Sequence, residues 1–138
     1  MIRDESYGVI PLRMEKGKWN VFLIRHHAGH WGFPKGHAEA KETPLQSALR
    51  ELKEETHLEA DSLLFQEPLE EDYNFKRSGK TIEKKVRYYI IKAKGEVNLQ
   101  TDEISDGKWL SFEDAHQIIT FEEGRKLLSQ VENLLGIV

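Results

Sequence analysis

Glu51, Glu54 and Glu55 stand three and four residues apart in Arg50-Glu51-Leu52-Lys53-Glu54-Glu55, a spacing that gathers their carboxylates on one face if the segment is helical. Like charges so placed destabilise a helix by roughly 0.2 to 0.5 kcal/mol per pair, and carboxylates late in a helix oppose its dipole. Such a face calls for a positive counterpart. A hard divalent cation, Mg²⁺ or Mn²⁺, suits clustered oxygen donors, with phosphate oxygens completing its shell. A solvated face neutralised by Arg50 and Lys53 is the alternative. Upstream, Trp31-Gly32-Phe33-Pro34-Lys35-Gly36-His37 follows three histidines, His26, His27 and His30. These lack the paired Cys/His spacing of structural zinc, so a zinc site is set aside. A basic, glycine-containing loop beside a carboxylate helix points to phosphate handling instead.

Positioning those carboxylates is the work of a helix from Thr43 to about Thr56. Thr43 supplies a capping hydroxyl, Pro44 sits where its missing N–H costs nothing, and Gln46 can reach back to the cap. Leu45, Ala48, Leu49 and Leu52 form its apolar stripe. Before it, Ser6 to Leu12 and Trp19 to Ile24 read as buried strands separated by Arg-Met-Glu-Lys-Gly-Lys, and Arg25 to Lys35 as a loop. After it come a strand leading from Leu58 to Phe65, then Asp72 to Arg77, a Ser78-Gly79 turn and a long strand from about Thr81 to Lys92. Along that strand Val86, Tyr88 and Ile90 point one way and Arg87, Tyr89 and Ile91 the other, so one face is core and one is free to meet a ligand. Gly95 to Ser105 reads as loop, Asp106-Gly107 as a turn and Lys108-Trp109-Leu110 as a short strand. Two helices close the chain, capped by Ser111 and by Thr120, the second ending at Gly136. Strands around one central helix, with helices at the end, predict an α/β fold in which a mixed sheet is flanked by helices on both faces.

At 138 residues, 38% hydrophobic and 32% charged, the chain is read as one globular domain, residues 1–138. Its net charge of −4 argues against broad nucleic-acid or anionic-membrane binding. With no cysteine there is no thiol chemistry, and no window approaches the roughly 18 apolar residues a membrane span needs. A monomeric cytoplasmic enzyme is the expectation.

Gly36, Glu42, Arg50, Glu51, Leu52, Glu54, Glu55 and Leu58 fall on the pattern Gly, five residues, Glu, seven residues, Arg-Glu-aliphatic-any-Glu-Glu-any-Gly-aliphatic. This stretch resembles the signature of the Nudix hydrolases. His57 stands where the family has glycine, and histidine reaches the left-handed conformation that closes such a helix at modest cost. Trp31 to His37 is similar to the W-x-x-P-K-G-H lead-in of the subgroup that cleaves dinucleoside tetraphosphates asymmetrically. Lys85-Val86-Arg87-Tyr88-Tyr89, Asp102-Glu103-Ile104 and Trp109-Leu110 are similar to further segments of that subgroup. RNA-decapping enzymes and RNA 5′-pyrophosphohydrolases share part of the pattern, with other residues at Lys35 or His37. A non-catalytic nucleotide-binding module is a third possibility, opposed by the complete set of acidic residues.

The resemblance implies the Nudix α/β/α sandwich and Mg²⁺-dependent hydrolysis of dinucleoside polyphosphates, diadenosine tetraphosphate giving ATP and AMP. It implies that Glu51, Glu54, Glu55 and the Gly36 carbonyl hold metal, with Arg50 and Glu42 fixing the carboxylates. Glu103 is the expected further ligand or general base, Asp102 its fallback. Lys35 and His37, with one of His26 or His27 nearby, are expected on phosphate. Tyr88 is the expected base-stacking ring, Phe121 stands on the base's other side, and Tyr89 replaces Tyr88 if the faces are reversed.

Overall fold

The computed structural model describes residues 1–137. Its elements are β1 (Ile2–Glu15), β2 (Lys18–His26), β3 (Trp31–Gly32), β4 (Lys35–Gly36), α1 (Pro44–Thr56), β5 (Glu59–Leu63), β6 (Leu69–Arg77), β7 (Lys80–Lys94), β8 (Ile104–Ser111), α2 (Phe112–Ile118) and α3 (Glu122–Leu135). All eight strands join one sheet in the order β3-β2-β1-β7-β5, with β4 on β1, β6 on β7 and β8 on β2. β1 and β7 run parallel from Ile2↔Ile82 to Leu12↔Lys92, and every other pairing is antiparallel. The sheet is therefore mixed, as expected.

Its two faces bury separate cores. Ile10, Leu23, Val86 and Ile90 pack with Phe112, Leu127, Leu128 and Val131 of α2 and α3. Val9, Phe22, Ile24 and Ile91 pack on the other side with Ala48 and Leu52 of α1. One helix on one face and two on the other give the expected three layers. No helix among the described residues is long and apolar enough to cross a membrane.

Where the sheet opens, it makes room for chemistry. On the edge of β1 away from β7, β2 pairs only with Leu12 to Glu15, and β4 takes up Tyr7 and Gly8. Val9 N–H donates to the Pro34 carbonyl at 3.1 Å beside it. The Trp31-to-His37 segment is thereby threaded into the sheet between the two helical layers.

Several expectations are corrected. β1 begins at Ile2 and runs to Glu15, because backbone pairing to β7 rather than burial orders its first residues; the turn shrinks to Lys16-Gly17, both at positive φ. The segment expected as loop from Arg25 to Lys35 contains β3 and the start of β4. Asp106-Gly107 is no turn but part of β8, opposite Arg25 and Ile24; glycine is needed there because a Cβ would stand 2.7 Å from the Phe22 ring. Thr120 does not cap α3: its hydroxyl accepts from Trp31 N–H at 2.8 Å, and Phe121 is the cap residue, with no side-chain bond. Nor is one face of β7 free, since Ile90 and Ile91 are both fully buried.

Candidate active site

The acidic helix is fixed at both ends. Thr43 and Gln46 make a reciprocal capping box, 3.1 and 2.9 Å. His57 adopts φ 66° and donates its N–H to the Lys53 carbonyl at 2.9 Å, the left-handed closure a glycine would make. Ala48 and Leu52 anchor the helix in the core, which sets the rotation at which its glutamates emerge.

Arg50 organises them. Its guanidinium takes Glu42 in a two-pronged grip, 2.7 and 3.2 Å. The same fork donates to Glu51 at 3.0 Å, Glu54 at 3.1 Å and the His37 carbonyl at 2.8 Å. This is the geometry that suits arginine and not lysine. The Arg50 guanidinium holds the Glu42 carboxyl well below the usual range, at about 2. Gly36 completes the arrangement: a Cβ there would lie 2.1 Å from the Glu51 carboxyl carbon, so only glycine lets that carboxylate lie against the strand.

Glu55 is different in kind. It is 7% exposed and accepts from the Lys35 N–H at 3.2 Å. Burial first, then the Glu51 charge and more weakly Glu103, push its carboxyl up to about 8. Burial also raises Glu51, with Glu54 and Glu103 adding to it against the Arg50 guanidinium. Glu51, Glu54, Glu55, Glu103 and Gly36 all line one cavity of about 570 Å³. Among the described residues no three acidic or histidine side chains already form a closed metal cage. The fit to a metal lies in the donors themselves: crowded, partly desolvated carboxylates of one sign, which a hard divalent cation would neutralise.

That crowding has a measurable consequence without metal. The folded Glu55 carboxyl binds its proton more tightly than an unfolded one near 4.5, so its contribution is complete at low pH and is lost as pH rises to about 8, a change on the order of a few kcal/mol. His26, lowered to about 4 by burial and by His30 and Lys35, works in the opposite direction but only below its ordinary value of 6.5. Between about pH 6.5 and pH 8.5 the chelator-treated protein should lose several degrees of Tm, and Glu55→Gln should remove most of that slope. A flat or rising Tm in the unsubstituted protein contradicts the assignment.

Lys35 and His37 border the same acidic cavity, His37 held by Asp4 at 2.8 Å. Lys84 is a cation the sequence reading missed. It is 6% exposed, donates to Asp4 and Ser6 at 3.0 and 2.5 Å and lines the cavity. Lys85, aligned with the subgroup's lysine above, points away and faces Glu70 at 3.8 Å. The signal for Lys84 was its parity with Ile82, Val86 and Tyr88 on an alternating strand.

A second cavity, of about 380 Å³, adjoins the first through Lys35, which lines both. Its walls include Trp31, Tyr73, Phe75 and Phe121. Tyr88 is at this cavity but only 3% exposed, edge-on to Phe33 at 5.3 Å; it is floor rather than an open stacking face. Tyr89 belongs to the opposite face, with the α1 core, and does not line the cavity. Phe121 is 56% exposed at the rim, and Tyr73, absent from the sequence reading, lies under the Lys35 ammonium at 5.9 Å. His26 and His30 stack at 4.4 Å on this wall, whereas His27 turns away to hold the Glu103 loop. Its N–H donates to the Glu103 carbonyl at 3.0 Å and its ring meets the Thr101 carbonyl at 2.7 Å.

Comparison with known proteins adds to this geometry. A model of the NUDIX domain matches residues 3–131. The bis(5′-nucleosyl)-tetraphosphatase [asymmetrical] of Caenorhabditis elegans is 30% identical over 135 residues, covering 96% of each chain. The Mus musculus protein of the same name is 34% identical over 132 residues, 92% of this chain and 87% of its own. Among solved structures, a C. elegans Ap4A hydrolase binary complex superposes with a TM-score of 0.75 at 27% identity, over 96% of this chain and 97% of that one.

Proposed function

The chain belongs to the Nudix family, and from that premise we propose that it is a hydrolase of dinucleoside polyphosphates, converting diadenosine tetraphosphate to ATP and AMP. The observation that carries this reading is the pair of joined cavities, one aromatic and one acidic, with Lys35 at the passage between them. A base stacks against rings with little regard to its identity, and a polyphosphate chain leading from it past Lys35 reaches the carboxylates. Counting phosphates from the held base then sets which phosphorus is attacked, and an off-centre choice gives unequal products.

Members of this family generally require a divalent metal, and Mg²⁺, with Mn²⁺ as substitute, is the ion proposed here. Glu51, Glu54, Glu55 and the Gly36 carbonyl are the proposed donors. A bound ion would neutralise charge along the phosphate chain and make water a better nucleophile. The chain's own residues do the rest. Arg50 and Glu42 keep Glu51 and Glu54 in place, and Lys35, Lys84 and His37 contact non-bridging phosphate oxygens. Glu103 takes the proton of the attacking water as its oxygen bonds to phosphorus and the bridging P–O bond breaks. Asp102 is the alternative base. Residues 1–138 are read as one domain, a reading supported by β1 and α3, from opposite ends of the chain, bordering one core.

Diadenosine tetraphosphate, triphosphorylated RNA and capped RNA should be assayed side by side with Mg²⁺ in ¹⁸O-water. ATP and AMP in equal amounts, with label in one of them, are expected. Two ADP, or faster turnover of RNA ends, would refute the reading.

A further inference from the structure

Glu71 breaks the pattern of its own strand. Along β6, Leu69, Glu71, Tyr73 and Phe75 turn inward while Glu70, Asp72 and Asn74 are exposed, so a carboxylate stands where the alternation asks for an apolar side chain. Glu71 is half-buried, and drawing a charge partly out of water without a partner carries a cost. Neighbouring Glu70 faces Lys85 and Arg87 at 3.8 and 3.4 Å. Glu71 has no hydrogen-bond partner among the described residues, and its carboxylate is open to the cavity rather than sealed from water. Burial pushes its carboxyl up, Glu123 and Asp72 add to this through space, and Lys35 and Lys84 oppose it. Its side chain borders the aromatic cavity, together with Glu123. A position where local pattern fails without internal compensation is where a ligand is expected to supply what is missing.

The chemistry of that ligand follows from the donor and acceptor inventory. An ionised carboxylate only accepts, through two oxygens. The Watson–Crick edge of guanine offers two adjacent donors, N1–H and the 2-amino group. Adenine offers one donor and one acceptor, and its acceptor would meet a carboxylate oxygen. Building on the dinucleoside polyphosphate reading above, we propose that Glu71 is a specificity-determining residue that accepts from both donors of a guanine base, so that the aromatic cavity holds a guanine-bearing dinucleoside tetraphosphate more tightly than the diadenosine one, which it still accepts by stacking. The rings provide stacking for either base, and Glu71 chooses between them.

GMP and AMP are titrated calorimetrically into the full-length protein and its Glu71→Gln variant. The unsubstituted protein should bind GMP tighter than AMP by roughly tenfold, because the wrong base covers the Glu71 carboxylate and sets an acceptor against it. The glutamine amide presents an acceptor oxygen beside a donor NH2 group, so Glu71→Gln should reverse the preference, and its retained AMP binding shows that the cavity is folded. Equal affinities in the unsubstituted protein, binding of neither nucleotide, or a ratio unchanged by Glu71→Gln would overturn the proposal. A GMP preference that reverses in Glu71→Gln, found in a protein that turns over no dinucleoside tetraphosphate, would uphold it while removing the hydrolase reading.

Discussion

Replacing Glu55 with Gln is expected to lower kcat on diadenosine tetraphosphate by about a hundredfold or more at saturating Mg²⁺, the scale seen when a charge-stabilising group is lost. Shape is nearly conserved, and the amide oxygen still accepts from the Lys35 N–H that Glu55 holds at 3.2 Å, so the lead-in strand stays in register. What disappears is the ability to ionise. Glu55 is held protonated up to about pH 8 by burial and by the Glu51 charge, so its ionised form is populated at neutral pH only when a cation offsets those costs. Its proton and a divalent ion compete for the same oxygens, and the unsubstituted enzyme should need less Mg²⁺ for half-maximal rate as pH rises. The glutamine variant should show neither the rate nor that pH dependence. Turnover near that of the unsubstituted enzyme would remove Glu55 from the chemistry.

The difference between Glu55 and its neighbours was not legible in the sequence, although the helix carrying them was. Thr43, Pro44 and Gln46 specify the start of α1 locally, and Ala48 and Leu52 its buried side. Yet Glu51, Glu54 and Glu55 look alike until Lys35 and Gly36 are brought against them from β4, which depends on β4 pairing with β1 nearly thirty residues earlier. The same distance problem hid the beginning of β1: Ile2 to Glu5 are ordered by β7, about eighty residues away, and no local period records that. Tyr88 and Tyr89 were correctly read as facing opposite ways. That Tyr88 would be sealed as floor was settled by Phe33 and by the close approach of Gly8, where a Cβ would stand 2.8 Å from the Tyr88 ring. Lys84 and Glu71 were legible in principle. Each is a charge at an inward position of an alternating strand, and reading the alternation for exceptions rather than for its rule finds both.

Gly36→Ala is expected to separate folding from catalysis at the same site. The added Cβ would stand 2.1 to 2.4 Å from all three atoms of the Glu51 carboxyl group, far inside van der Waals contact. What it meets is the end of a rotatable side chain and not backbone, so the helix need not move. The carboxylate must. Glu51 is also tied to Arg50 at 3.0 Å, and Arg50 in turn holds Glu42, Glu54 and the His37 carbonyl, so the displacement passes into the whole acidic group. A misplacement of about 1 Å in such a constellation lowers rate by about a hundredfold, whereas turning the end of a half-buried side chain aside costs about 1 kcal/mol of stability, the scale of an ordinary point substitution. Near-normal Tm with a hundredfold loss in kcat is therefore the expected pair of results. A fully active Gly36→Ala enzyme would mean that the position of Glu51 against β4 is irrelevant to the reaction.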